Sequence, residues 1–228
     1  MLGADNIIDD RIKAIKNFVR AGSRVADIGA DHGYLSIELI KSGVATKIIA
    51  TEKNIHPFEA LSKNILGFNQ IEARLGDGLK IISAGEVDTI CVAGMGGALI
   101  EKILNESPEV VESARQLILQ PMNGAKKIRK WLADNDWTIA DEDLAETGGI
   151  IYEIICAEKD PIKRAFKRES SPLLSKFLNQ RREKLEKVLN EMSKSSSARN
   201  SAKYLALRAE IDALNKVYSC HSNSICPM

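Results

Sequence analysis

The sequence predicts an α/β fold, a doubly wound and mostly parallel sheet, followed by a C-terminal helical hairpin. Short apolar runs alternate with stretches of helical period from about residue 10 to residue 157, which is the pattern of successive β-α units. A glycine turn joins the first apolar run to the next helix, as in nucleotide-binding sheets. Beyond Pro172 the period changes to heptads, which indicates two long helices.

The predicted elements begin with a helix that Asp9 or Asp10 caps and Gly22 ends. Apolar runs bounded by turn residues then predict seven strands, at 25–28, 47–51, 71–75, 87–93, 117–119, 137–140 and 150–157. A helix from Tyr34 to about Ser42 follows the first strand, and one from His56 to Phe68 follows the second. Seven strands closed by two β-rich segments resemble a known class of α/β sheet, in which a final antiparallel strand lies beside the parallel ones.

The composition is that of an ordinary globular protein, with 228 residues of which 44% are hydrophobic and 28% charged. No apolar stretch approaches the roughly 18 residues that span a bilayer, so no membrane association is expected. Acids among the first ten residues predict that no export signal is present. The four cysteines lack zinc-type spacing, and Cys91 and Cys156 lie in strand-like runs. We therefore expect no metal site and a reducing, cytoplasmic setting.

The first turn has the spacing Asp27-x-Gly29-x-Asp31-x-Gly33. Its glycines let the chain turn sharply and let the following helix begin close to a ligand. A dinucleotide fingerprint needs glycine where Asp31 stands, because a carboxylate there repels a pyrophosphate. S-adenosylmethionine has no phosphate and carries cationic sulfonium and amino groups, so the acidic turn suits it better than NAD. The alternative is an acid-rich turn that caps the helix and binds nothing.

Two further strand ends extend this candidate cofactor site. Glu52 ends the second strand, where an acid can accept hydrogen bonds from both ribose hydroxyls of an adenosine ligand, and Lys53 follows it. Asp77 lies between Gly76 and Gly78 after the third strand, where it can reach an adenine amino group. An acid between glycines is also typical of a plain turn, which is the alternative for Asp77.

The charge is divided unevenly along the chain. Residues 161–228 hold 14 Lys and Arg against 6 Asp and Glu, whereas residues 1–160 hold 18 against 25. We therefore divide the chain into a domain at 1–160 and a basic hairpin with a tail at 161–228. The basic excess indicates either an arm that binds a polyanion or a solvated helical surface.

The hairpin is predicted from two heptad runs on either side of the serine-rich stretch 193–197. The first run is Leu174, Leu178, Arg181, Leu185, Val188 and Met192, and the second is Tyr204, Leu207, Ile211, Leu214 and Tyr218. Apolar residues at steps of three and four place one stripe on each helix. Two such helices joined by a short turn form an antiparallel coiled coil.

Together these features resemble the bacterial tRNA (adenine(22)-N(1))-methyltransferase family (TrmK type) nearly end to end. The residues that match are 25–35, 76–79, 93–97, 117–121, 131–132 and 150–155. The Asp31-His32 pair and the Gly-Met-Gly-Gly loop at 94–97 are specific to that family among methyltransferases. The resemblance implies a class I methyltransferase fold with a Rossmann-like sheet. It also implies S-adenosylmethionine as methyl donor, tRNA as substrate, and N1 of adenosine 22 in the D-arm region as the methylated atom.

The resemblance completes the list of predicted site residues. The cofactor-binding residues are Asp27, Gly29, Asp31, Glu52, Lys53, Asp77, Gly78, Ala93 and Gly94. The residues that hold the target base are Met95, Gly96, Gly97, Gln120, Pro121 and Asn123. A clamp of Asn or Asp followed by Pro-Pro-Tyr does not follow the fourth strand, which argues against methylation of an exocyclic amine.

The catalytic candidates are Asp31 and His32. A carboxylate near the base stabilises the positive charge that the purine gains as the methyl group arrives. His32 is either a base or a structural hydrogen-bonding group, and Tyr34 is expected to pack in the core or to cover the donor.

Three alternative functions are weighed against this one. The first is a methyltransferase of the same fold that acts on another RNA base or a small molecule. The second is a catalytically silent RNA-binding protein that retains the cofactor pocket. The third is an NAD-binding oxidoreductase, which Asp31 disfavours. No protein partner is inferred.

Overall fold

The computed structural model of the protein describes residues 9–159 and 171–222, with only the backbone for residues 216–222. The chain forms two compact units, Met1–Glu169 and Ser170–Met228. The predicted domain boundary at residue 160 lies outside the described residues. The first unit holds the sheet and the second unit is helical.

Within the described residues, seven strands form one sheet. They are β1 (Ser23–Ile28), β2 (Ala45–Glu52), β3 (Ile71–Leu75), β4 (Thr89–Gly96), β5 (Gln116–Asn123), β6 (Thr138–Thr147) and β7 (Ile150–Glu158). Their order is β3-β2-β1-β4-β5-β7-β6, with β1 to β5 parallel and β7 antiparallel to both its neighbours. The predicted fold class, including the inserted antiparallel strand, is confirmed. The strand order reverses between β1 and β4, where open α/β sheets bind their ligands.

Helices cover both faces of this sheet. On one face lie α1 (Asp10–Phe18), α2 (Tyr34–Lys41) and α3 (Ile55–Asn64), and on the other lie α4 (Gly97–Asn105), α5 (Pro108–Ser113) and α6 (Ala125–Asp134). Successive strand residues enter opposite cores, so Val25 packs with the first group of helices and Ala26 with the second. Burial on both faces explains why the strands are continuous apolar runs rather than alternating ones.

Three strands, β4, β5 and β6, extend well beyond the ends that the sequence predicts. We predicted that β4 ends at Ala93 and β5 at Leu119, because glycine and proline are poor strand formers. Both strands continue together instead, with Met95 opposite Pro121 and a register shift on each side of Met95. The strand β6 continues to Thr147, where a Gly148-Gly149 turn with positive φ at both residues leads directly into β7. The predicted ends were wrong because the adjacent strand provides hydrogen-bonding partners in each case.

The N-terminal helix α1 begins as predicted. Asp9 is its N-cap, and its Oδ1 accepts a hydrogen bond from the backbone N–H of Ile12 at 3.0 Å. Ile15 and Phe18 are buried on the face that meets the sheet. The helix ends at Phe18 rather than at Gly22, which forms a separate turn before β1.

The second unit consists of α7 (Leu174–Ser193), α8 (Ser196–Arg199) and α9 (Ala202–Ser222). Phe177, Leu178 and Ile211 are buried in it. The Arg181 guanidinium binds the Glu210 carboxylate at 2.5 Å, which joins α7 to α9 at positions about equally far from the turn. This pairing confirms the predicted antiparallel hairpin. Val188, a member of the predicted seam, is 43% exposed, so the seam is open near the turn.

In the described part of the chain, no helix is both long enough and apolar enough to cross a lipid bilayer.

Candidate active site

The loop between β1 and α2 is held by the end of β2. The backbone N–H groups of Gly29 and Ala30 both donate to the carbonyl oxygen of Thr51, at 2.9 and 3.0 Å. Gly33 begins α2 in the left-handed region, and a Cβ there would lie 2.7 Å from Leu61 of α3. Glycine is therefore required at position 33 for its φ and for the close packing of α2.

Asp27 is the innermost acid of this loop. It is buried near the end of β1, and its Oδ2 accepts a hydrogen bond from the Ser36 hydroxyl at 2.7 Å. Burial raises the pKa of the Asp27 carboxyl to about 6, because removal from water disfavours the charged form more than the Ser36 hydrogen bonds favour it. A cationic ligand group in the cleft would favour the ionised form.

Glu52 joins the first loop to the second. Its buried carboxylate accepts hydrogen bonds from the N–H groups of Lys53 at 2.9 Å, Asn54 at 3.2 Å and Asp31 at 3.4 Å. The acid at the end of β2 thus fixes both loops, a positioning role that the sequence does not reveal. Its contact with a ribose stays a prediction.

Asp77 lies beside Lys53 at the end of β3. Its carboxylate is 3.2 Å from the Lys53 ammonium and 3.1 Å from that of Lys80. Hydrogen bonds from Lys80 and Lys53 hold the pKa of Asp77 below its usual range. Gly78 begins a short 3-10 helix (Gly78–Ile81) with positive φ and packs against Ile103. Asp77 is therefore ionised and half-exposed, and its contact with adenine stays a prediction.

The ends of β4 and β5 form the opposite wall. The backbone N–H of Gly94 donates to Oε1 of the buried Gln120 at 3.0 Å. A Cβ on Gly97 would lie 2.9 Å from the carbonyl oxygens of Asn123 and Gly124, so only glycine fits there. Gly96 packs beside the Asn123 side chain.

Met95 turns away from this wall towards the first loop. A Cβ on Gly29 would lie 2.2 Å from the Met95 methyl carbon, so the thioether occupies the space over that glycine. Met95 also packs against the core under α4. Met95 therefore has a packing role, and its contact with the target base stays a prediction.

These elements enclose a cleft at the carboxyl ends of β1, β4 and β5. Of the predicted residues, the cleft is lined by Asp27, Gly29, Asp31, His32, Ala93, Gly94 and Gln120. Glu52, Lys53, Asp77 and Gly78 form a neighbouring group, and Pro121 is buried within β5. The cleft also contains residues that the sequence analysis did not assign to a site: Arg11, Ile12, Ile15, Ala30 and Leu35. No sequence signal marks the α1 residues, because their place depends on how α1 packs.

The mouth of the cleft carries three exposed or partly exposed side chains. Asp31 adopts a φ of 50°, and its side chain is 66% exposed. His32 Nε2 lies 3.9 Å from Asp31 Oδ1, and the His32 ring stacks on Tyr34 with 5.5 Å between the centroids. A non-glycine residue in the left-handed region is uncommon and concentrates at functional sites. Tyr34 lines the cleft, as a residue that covers the donor would.

The donor set of the cleft fits S-adenosylmethionine. Two carboxylates, Asp27 and Asp31, face a space in which a ligand with sulfonium and ammonium groups would be stabilised. Among the described residues, no group of three His, Cys, Asp or Glu side chains is placed to hold a metal ion.

The fold agrees with comparisons to known proteins. A model for a methyltransferase domain matches residues 8–155. The tRNA (adenine(22)-N(1))-methyltransferase of Bacillus subtilis is 37% identical over 154 residues, which cover 66% of this chain and 65% of that protein. The structure of a putative tRNA (m1A22) methyltransferase from Streptococcus pneumoniae is 31% identical with a TM-score of 0.81, and the match covers 93% of this chain and 100% of that one. The chain belongs to the tRNA (adenine(22)-N(1))-methyltransferase family.

A second structure of the Streptococcus pneumoniae protein, in complex with S-adenosyl-L-methionine, is 32% identical to this family member, with a TM-score of 0.80. That match covers 93% of this chain and 100% of the other. These matches confirm the Rossmann-like methyltransferase fold predicted from the sequence.

The buried acid makes stability depend on pH. The unfolded Asp27 titrates near 3.8 and the folded one near 6, so the folded state loses stability as the pH rises between these values. Asp27→Asn removes this titration. We expect the variant to gain up to roughly 3 kcal/mol in unfolding free energy relative to the parent protein between pH 4 and pH 7. Urea denaturation at steps of pH measures the difference.

Asp88→Asn is the matched control, because hydrogen bonds from Arg24 lower the pKa of Asp88 and its contribution has the opposite sign. Parallel pH profiles for Asp27→Asn and the parent protein would contradict the prediction.

Proposed function

We propose that this protein transfers a methyl group from S-adenosylmethionine to N1 of an adenosine at position 22 of tRNA. The observation that carries the proposal is the cleft at the switch point of a methyltransferase sheet, which brings Asp27 and Asp31 together with Gly94 and Gln120. The relatives named above support the substrate, since they are described as tRNA m1A22 methyltransferases. A cytoplasmic setting, in keeping with the buried free thiols of Cys91 and Cys156, is part of the proposal.

The donor occupies the first loop in this proposal. S-adenosylmethionine, when bound, provides an activated methyl group on a cationic sulfur. Asp27 and Asp31 stabilise the cationic end of the donor, while Glu52, Lys53, Asp77 and Gly78 face its ribose and adenine. The Glu52 carboxylate already accepts three N–H groups, so it meets a ribose through its remaining acceptor capacity.

The target adenine enters between the first loop and the ends of β4 and β5. Its N1 carries an in-plane lone pair, so the N–C bond forms directly as the S–C bond breaks, and the purine takes up the positive charge. Gly96, Gly97 and Asn123 shape the wall beside the base, and Gln120 holds the Gly94 N–H in place. Catalysis then depends mainly on alignment. Because N1 lies on the Watson–Crick edge, a paired target base must first leave its helix.

Asp31 is proposed as the residue that stabilises the charge passing to the purine. It is the exposed carboxylate at the mouth of the cleft, and its backbone is fixed by Glu52. His32, 3.9 Å away and stacked on Tyr34, is proposed to orient Asp31 or the base. A general base is not required, because a neutral adenine has no proton on N1 to lose.

Methylation of tRNA by the purified protein tests the proposed function. We expect nucleoside mass spectrometry to find 1-methyladenosine after incubation of an unmodified tRNA bearing A22 with protein and S-adenosylmethionine. A transcript that differs only by guanosine at position 22 is the control, and it should stay unmodified. A product on another base, or no product at all, would contradict the proposal.

Asp31→Asn separates catalysis from binding. If Asp31 stabilises charge at the transition state, single-turnover rates at saturating donor and tRNA should fall by about 10²- to 10³-fold. Asp10→Asn, which alters an exposed acid paired with Lys13 on α1, should leave the rate unchanged. A near-normal rate for Asp31→Asn at saturation would leave Asp31 as a binding residue only.

The basic hairpin is proposed to bind tRNA phosphates. Lys184 and Lys187 are exposed on α7, so Lys184→Gln/Lys187→Gln removes two charges without disturbing the core. We expect weaker tRNA binding and a slope of log affinity against log salt reduced by about one unit for each lost phosphate contact. The control is Lys41→Gln/Lys47→Gln, which lie at the end of α2 and near the start of β2, away from the cleft. An unchanged slope for the hairpin variant would make the hairpin a packing element.

A further inference from the structure

The strand β5 carries two buried glutamines whose side-chain amides are bonded differently. Nε2 of Gln116 donates to the Phe18 carbonyl oxygen and to Glu158 Oε1, both at 2.9 Å. Its Oε1 accepts a hydrogen bond from the Thr89 hydroxyl at 3.2 Å. Both halves of the Gln116 amide are therefore bonded by the protein, as is usual for a buried polar group. Gln120 is just as buried, with 1% of the residue exposed, but it lines the cleft.

The amide of Gln120 has a fixed orientation. Its Oε1 accepts the Gly94 N–H at 3.0 Å, so the oxygen faces β4 and Nε2 points away from that donor. Within the described residues, the only partner of Nε2 is the thioether sulfur of Met122 at 4.0 Å, which is a weak acceptor. Met122 is 46% exposed, and its flexible side chain can move aside for a better acceptor. A buried donor with so weak a partner indicates that a ligand supplies the acceptor.

The two ends of this amide match one edge of adenine. Glutamine bonds adenine with its oxygen on the N6 amino group and its nitrogen on N7. An amide oxygen has two lone pairs, so Oε1 can accept the N6 amino group while it keeps the Gly94 N–H. We propose that Gln120 recognises the target base as adenine, with Nε2 donating to N7 and Oε1 accepting from N6. This inference rests on the proposed function, since the contact leaves adenine N1 free to face the donor.

The hydrogen bond from Gly94 makes this recognition selective. Guanine has a carbonyl oxygen at position 6, which would place a second acceptor against Oε1 of Gln120. An amide that rotated freely could turn its nitrogen towards that oxygen. Rotation of Gln120 would instead bring Nε2 against the Gly94 N–H, so that two donors face each other. The wall therefore accepts an amino group at position 6 and disfavours a carbonyl there.

A tRNA that carries 7-deazaadenosine at position 22 tests the N7 contact. This base keeps N1 and the N6 amino group but has a C–H in place of N7, so the Gln120 donor is left unpaired. With the parent protein and saturating S-adenosylmethionine, we expect kcat/KM for this tRNA to be about 5- to 150-fold below that for the adenosine tRNA. Equal values would overturn the proposal. No methylation of the adenosine tRNA itself would overturn the proposed function instead.

Gln120→Met separates recognition from packing, because methionine has a similar length and no N–H donor. We expect the variant to lose the preference for adenosine over 7-deazaadenosine, as measured by the ratio of the two kcat/KM values. Any difference in the intrinsic reactivity of N1 between the two bases affects both proteins alike, so it cancels when their ratios are compared. The matched control is Gln70→Met, an exposed residue outside the cleft, which should keep the preference of the parent protein.

Purine riboside at position 22 tests the oxygen of the amide, since this base lacks the N6 amino group. We expect the preference for adenosine over purine riboside to be about 2- to 10-fold greater in the parent protein than in Gln120→Met. If Gln120→Met loses activity equally on all three tRNAs and keeps both preferences, Gln120 only holds Gly94 in place, and the proposal is wrong.

Discussion

The end of β2 determines the shape of the active-site loop. The Thr51 carbonyl accepts the N–H groups of Gly29 and Ala30, and the Glu52 carboxylate accepts the next one, from Asp31. Three successive backbone N–H groups of the loop therefore donate hydrogen bonds to the end of one strand. These bonds fix the left-handed backbone of Asp31. Because these partners are protein atoms, the loop is already in place for a donor, and less ordering accompanies binding.

The sheet supplies this rigidity because both of its faces are covered. Each strand sends alternate residues into two separate cores, so the polar groups of the site are concentrated at the carboxyl edge. Asp27 is placed where that edge meets the core, and its raised pKa reflects the cost of the position. Ionisation of Asp27 is unfavourable there without a nearby positive charge. The same burial also strengthens the attraction between the ionised carboxylate and a bound cation, because little water screens the two charges.

Much of this arrangement could be predicted from the sequence, because strands, helices and turns depend largely on residues that are close together in the chain. The alternation of apolar runs indicated the sheet, and the spacing of Asp27, Gly29 and Asp31 indicated a ligand loop. The place of Arg11 in the wall of the cleft could not be found in that way, since it depends on how α1 packs against β7 and not on the neighbours of Arg11 in the chain. The extension of β4 to Gly96 was missed because a partner strand outweighs glycine's poor strand propensity. The exposure of Val188 was not predicted, because a heptad pattern shows which face of a helix is apolar but not where the two helices move apart.

The strand β7 runs antiparallel to its neighbours, so its last residue lies at the edge of the sheet opposite the cleft. Glu158 ends β7 opposite Gln116, the first residue of β5, and is bound there by Gln116 and Arg20. This point lies at the amino edge of the parallel strands, whereas the loops of the cleft lie at the carboxyl edge. The hydrogen bonds of Glu158 therefore hold the amino edge of the sheet together without taking part in the loops of the cleft.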